Sequence, residues 1–145
     1  LSPVNIERAR ELVPGATFRC ADMTRVEFTP GSFDAIVAFY SLINVPLAEQ
    51  PAVLRRFSDW LVPGGRLLVT VGQEPWTGIE QDWRGVPGVH MYYSHADAAQ
   101  YRLWCEQAGF VIEEQGRIPP HGNPGYAMLV ARKSAAGRAA VSERT

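Results

Sequence analysis

The feature that most constrains this chain is the run Phe33-Asp34-Ala35-Ile36-Val37-Ala38-Phe39-Tyr40-Ser41-Leu42-Ile43-Asn44-Val45. From Ala35 to Tyr40 it is apolar and uncharged, with Pro30-Gly31-Ser32 before it and Pro46 after it. A short continuous apolar run between turn residues suits a strand buried on both faces. Such strands lie in the middle of α/β sheets, and ligands bind just outside their C-terminal ends. The run therefore predicts a central strand, with one wall of a binding site at Phe39-Tyr40-Ser41.

The flanking sequence alternates in the same style. Ser2-Pro3 is a helix opening, with Ser as N-cap and Pro at the first helical position. Val4, Ile6, Ala9 and Leu12 can form its apolar stripe before Pro14-Gly15 stops it. Thr17 to Ala21 reads as a short strand with Asp22-Met23 at its end. Leu47 to Leu61 has the helical spacing Val53, Leu54, Phe57, Trp60, Leu61, and Pro63-Gly64-Gly65 leads into a second apolar strand, Arg66 to Val71. Helix and strand in alternation is the sequence form of a parallel sheet with helices packed on it.

Gly72 to His95 breaks the alternation with Gly, Pro and the aromatics Trp76, Trp83, Tyr92 and Tyr93, and reads as a long irregular lid or binding loop. Ser94 is the expected N-cap of the next helix, which runs to Ala108 with Leu103, Trp104 and Ala108 facing inward and Gly109 closing it. Phe110 to Ile118 and Tyr126 to Arg132 are strands. Pro119 to Gly125 between them cannot hold a helix, and a parallel crossover needs about a dozen residues, so these two strands must pair antiparallel. Residues 1–133 form the expected domain, and 134–145 a loose tail without apolar periodicity.

With 145 residues, the chain suits one domain, and its 46% apolar content is enough for a core. A net charge of −1 without charge runs argues against nucleic acid or an anionic membrane as the main partner. No apolar run approaches the ~18 residues of a membrane span. Cys20 and Cys105 have no CxxC neighbour and read as two buried thiols in a reducing, cytoplasmic setting. His90 and His121 lack ligand-spaced partners, so no metal site is implied.

Several segments together, in order, resemble the class I S-adenosylmethionine-dependent methyltransferases from about Ser2 to Lys133. They are Ser-Pro at 2–3, Phe-Arg-Cys-Ala-Asp-Met at 18–23, Gly-Ser-Phe-Asp-Ala-Ile-Val-Ala-Phe-Tyr-Ser-Leu at 31–42, Leu-Val-Pro-Gly-Gly-Arg-Leu-Leu-Val at 61–69, and Ala-Gly-Phe at 108–110, followed by the antiparallel final strand. The resemblance implies a Rossmann-like α/β fold, mostly parallel with an antiparallel C-terminal hairpin. The family's glycine-rich loop, and the acid that holds the ribose, have no counterpart here. The sequence looks like a methyltransferase cut just before its first helix, with the N-terminal strands missing. That leaves one edge of the central strand unpaired, and such edges recruit partners, so self-association is expected.

The resemblance also implies a cofactor, S-adenosylmethionine, and a mode of holding it. Asp22 would accept from the adenine amino group and Met23 would pack on the ring. Phe39 and Tyr40 would border the methionine end, and Asn44 stands where relatives often carry a histidine. Each has a plainer reading: a turn aspartate, core aromatics, an exposed polar residue at a helix start. Trp76, Trp83, Tyr92, Tyr93 and Ser94 are candidates for a small-molecule methyl-acceptor site, because such a site must shape the acceptor and exclude water. They could equally be a hydrophobic cluster pinning the loop. His95 is the candidate general base, against the reading of a solvated histidine in a helix first turn. The expected function is methyl transfer to a small molecule. The alternative is a truncated or degenerate copy without catalysis, acting as a binding or interaction module.

Overall fold

The computed structural model describes residues 2–118 and 125–135. The expectations for Pro119 to Pro124, for His121 and for most of the 134–145 tail lie outside them. Helix α1, Pro3–Leu12, is capped by Ser2, whose side chain accepts from the Asn5 amide at 3.3 Å. Its expected stripe is not used: no residue of α1 is buried, and Val4 and Leu12 face solvent. Thr17 to Ala21 does not form a strand. A strand exists only as half of a hydrogen-bonded pair, and no other described strand runs beside this segment.

Strand β1 is Phe33–Ala38. A one-turn 3-10 helix, Leu42–Asn44, and helix α2, Gln50–Trp60, carry the chain to β2, Leu61–Gly72. β1 and β2 pair parallel, Ala35 to Ala38 against Arg66 to Val69. Gly65 sits where they meet: a Cβ there would lie 3.0 Å from the Asp34 and Val62 carbonyl oxygens. The expected hairpin is present. β5, Phe110–Ile118, and β6, Tyr126–Lys133, pair antiparallel, and β6 also pairs antiparallel with β2, giving a mixed sheet in the order β1-β2-β6-β5.

One face of this sheet holds the core. Leu67, Val69 and Val71 of β2 stand beside Ala131, Leu129 and Ala127 of β6, all at most 1% exposed. Val53, Leu54 and Phe57 from α2 and Tyr101 and Cys105 from helix α3 (Ala98–Gln107) join the same cluster. Burying such side chains contributes about 1.5–3 kcal/mol each before entropy is counted. β1 departs from expectation here: it is the edge of the sheet, and its burial alternates, with Ala38 buried and Val37 59% exposed. With a neighbour on one side only, the outer face of an apolar strand stays open.

The region from Gly72 to His95 is also more ordered than its glycines and prolines suggest. Trp76–Glu80 (β3) and Met91–His95 (β4) form an antiparallel two-stranded sheet. Ser94 is therefore a buried strand residue, and the cap of α3 is Asp97, which accepts from the Gln100 amide at 2.8 Å. Tyr101 and Cys105, not Leu103, form the inner side of α3. Burial pushes the Cys105 thiol up to about 12, whereas Cys20, expected buried, is exposed. No described helix is long and apolar enough to cross a membrane.

Candidate functional site

The residues just beyond β1 are held in an uncommon conformation. Tyr40 has φ +48, in the left-handed region that non-glycine residues seldom adopt. Its N–H donates to the buried Thr70 hydroxyl of β2 at 2.6 Å, and its carbonyl accepts from Asn44 Nδ2 at 3.1 Å. Its ring meets Tyr126 of β6 edge-on, centroids 5.1 Å apart. Strain of this kind costs on the order of 1–3 kcal/mol, persists only where surrounding contacts enforce it, and clusters at functional positions. Phe39 beside it is half exposed.

Two concavities flank this point. The first is a groove of about 370 Å³ along the open edge of β1, with Met23, Ile36, Ala38 and Ser41 among its walls. Asp22 stands next to Met23 in a tight turn, its Oδ1 accepting from the Thr24 amide at 2.8 Å and the Thr24 hydroxyl at 2.9 Å. Those bonds, the amide first, hold the Asp22 carboxyl below its usual range, so it is an anion near neutrality. Arg56 of α2 fixes the turn from behind by donating to the carbonyls of Thr24 and Val26. The second Asp22 oxygen makes only a loose contact with Arg25, at 3.8 Å.

The second concavity, about 490 Å³, lies between the end of β2, the β3–β4 hairpin and the start of β6. Its lining includes Glu74, Trp76, Glu80, Tyr93, His95 and Tyr126. Cross-strand register explains the selection. Trp76 pairs with His95, Gly78 with Tyr93 and Glu80 with Met91, and these residues share the hairpin face turned to the cavity. Thr77, Ser94, Ile79 and Tyr92 take the other face. So the structure brings Trp76, Tyr93 and His95 together and separates Tyr92, which is exposed, and Ser94. The Ser94 hydroxyl lies 2.9 Å from Thr77 Oγ1, and its carbonyl accepts from buried Gln50 at 2.6 Å. Trp83 acts at one remove: its Nε1 donates to Tyr93 Oη at 2.7 Å.

His95 lies at the end of β4, not in a helix. Its Nδ1 is 2.7 Å from the Glu74 carbonyl oxygen; a proton placed there is donated, and Nε2 keeps its lone pair. Burial first, then Tyr93, Tyr40 and Glu80, raise the Tyr126 phenol above its ordinary value, and it stays protonated. Glu74, Glu80 and Tyr126 were not singled out from the sequence. Tyr126 was within reach, since an antiparallel final strand must start beside the end of β2, as the pairing with Gly72 shows.

Comparison with known proteins bears on the fold and on the first part of the sequence. Residues 1–65 match the family model described as a methyltransferase domain. The chain is 35% identical over 65 residues to phosphoethanolamine N-methyltransferase 3 of Arabidopsis thaliana, covering 45% of this chain and 13% of that protein. It is 30% identical over 106 residues to phosphoethanolamine N-methyltransferase 1 of Triticum aestivum, covering 72% of this chain and 20% of that one. It thus spans about a fifth or less of these relatives' length. Its fold is similar to that of a SAM-dependent methyltransferase from Methanosarcina mazei, with a TM-score of 0.76 at 13% identity, covering 93% of this chain and 80% of the other. Over residues 1–65 the chain is thus similar to methyltransferase domains, and its fold is that of S-adenosylmethionine-dependent methyltransferases.

Proposed function

We propose that this chain contributes to S-adenosylmethionine-dependent methyl transfer to a small-molecule acceptor. The observation that carries the reading is Tyr40. It is held in a strained conformation at the C-terminal end of β1, its ring against Tyr126 of the aromatic cavity and its neighbour Ser41 in the wall of the groove that Met23 lines. Asp22 and Met23 fit the adenine end of the cofactor: an anionic carboxylate with an uncommitted oxygen suits an amino donor, and a thioether suits a ring. Phe39 and Tyr40 would border the methionine end. The cofactor supplies a methyl group activated on a sulfonium. The chain's own part is to position the acceptor and exclude water, with Trp76 and Tyr93 as walls and Trp83 bracing Tyr93. With Nδ1 against the Glu74 carbonyl, His95 Nε2 would be the group that takes a proton from an acceptor hydroxyl or amine. A cavity of this size and aromatic character suits a small organic molecule.

Calorimetric titration with S-adenosylhomocysteine tests the reading, on the 145-residue chain and on a form extended upstream. Saturable binding by either form is expected, weakened about tenfold in Asp22→Ala, roughly the value of a hydrogen bond to a charged group. Absence of binding in both forms would refute it and favour a binding module without catalysis.

A further inference from the structure

The chemistry of the larger cavity narrows the acceptor. Trp76 and Tyr93 stand with ring centroids 6.0 Å apart, and Trp76 and His95 at 6.2 Å, so the hairpin offers a continuous aromatic surface. Tyr126 closes the opposite side, itself backed by Tyr40. Two carboxylates, Glu74 and Glu80, complete the lining, and no described lining residue is lysine or arginine. The nearby Arg84 lies over the Trp83 ring, 4.8 Å from its centroid, outside the lining.

Aromatic faces present negative quadrupole potential, and an ammonium over them is attracted, most strongly where water is partly excluded. Carboxylates at the same cavity add a second attraction of the same sign. A phosphorylated or carboxylated acceptor would meet the reverse at the wall itself, like charge against Glu74 and Glu80, since Arg84 and Arg117 lie outside the lining, behind Tyr126 and Gly125. We infer that this cavity holds an alkylammonium group, and that the acceptor is an amine carrying no phosphate on the part seated there. This rests on the methyl-transfer reading for the word acceptor, but the binding itself does not. It also separates the chain from the phosphoethanolamine enzymes it is similar to, whose named substrate carries a phosphate.

The experiment compares three probes on the unmodified protein by calorimetry: choline, its uncharged isostere 3,3-dimethyl-1-butanol, and phosphocholine. Choline should saturate, with the isostere and phosphocholine each weaker by about fivefold or more, the scale of one or two cation–aromatic contacts. Glu80→Gln, on an exposed strand position that folding does not need, should weaken choline about threefold while leaving S-adenosylhomocysteine binding unchanged. Equal binding of choline and its isostere, tighter binding of phosphocholine, or no choline binding at about 10 mM, the weak end for such contacts, overturns the inference. S-adenosylhomocysteine titrated into the same sample separates the two readings. If it binds and choline does not, the ammonium site falls and methyl transfer stands. If choline binds and S-adenosylhomocysteine binds neither this chain nor the form extended upstream, the ammonium site stands and the methyl-transfer reading falls.

Discussion

β1 and β2 lie side by side, run parallel and carry similar apolar cores, Ala-Ile-Val-Ala in one and Leu-Leu-Val-Thr-Val in the other. In β2, Leu67, Val69, Thr70 and Val71 are all sealed from solvent, while in β1 Ala38 alone is buried and Val37 is open. β2 has a hydrogen-bonded neighbour on each side and β1 has one. A strand's burial is therefore a property of its neighbours as much as of its residues, and an apolar run by itself cannot say whether it lies at the middle or the edge of what is present.

Truncation would break this comparison most severely. Leu67→Ala should cost about 2–5 kcal/mol of stability, the range for a sealed core leucine. Val37→Ala should stay within about 0.5 kcal/mol, as open positions do. Urea denaturation of both variants reads the difference, and equal losses would mean that the face of β1 is covered in solution. Next in size is association. The free edge of β1 should draw 145-residue chains together at tens of micromolar, seen as a concentration-dependent mass in sedimentation, and Val37→Lys should reverse it because a charged edge resists pairing. A monomer at all concentrations would count against a reactive edge.

The smallest effect lies at the far end of the sheet. Glu113 of β5 accepts from Arg132 of β6 at 2.8 Å and from Arg66 of β2 at 3.2 Å, tying three strands together, whereas β1 has no such tie among the described residues. The bond from Arg132, then that from Arg66, holds the Glu113 carboxyl below its usual 4.5. A carboxyl depressed in the folded state binds fewer protons there than in the unfolded chain. Its contribution is thus present above pH 4.5 and is lost as pH falls through the depressed value. Glu113→Gln should lower the melting temperature slightly at neutral pH, and the gap to the parent should close on acidification below that value. A gap that stays constant would show that the pair is not what the carboxyl senses.

Much of the framework was legible in the residues. Val53, Leu54, Phe57 and Trp60 announced the buried face of α2, and the short proline-rich spacer dictated an antiparallel final hairpin. What failed was whatever depended on a partner. Thr17 to Ala21 has strand-like residues and no strand beside it, and the stripe on α1 has nothing to cover it. In the other direction, Trp76 to His95 was obscured by the turn-rich stretch between its two strands, although Trp76, Thr77, Ile79, Tyr92 and Tyr93 are residues that favour strands. The candidate site divided the same way. The aromatics were visible as types, but which face of β4 each one takes, and so whether Tyr93 or Tyr92 meets the cavity, follows from register alone.

Gly72 marks where the small hairpin touches the main sheet. A methyl group there would run into the His95 ring and come within 2.7 Å of the Ala96 carbonyl oxygen. The two sheets thus meet with no side chain between them at that point, so mutational drift has no small step available. Even alanine must either turn the imidazole away from Glu74 or lift the hairpin off the sheet. Gly15, by contrast, has open space around it and an ordinary backbone, and can wander freely. Of the two glycines, one is therefore a hinge pin whose identity is dictated by its neighbours and the other is a spacer, a distinction invisible in the composition they share.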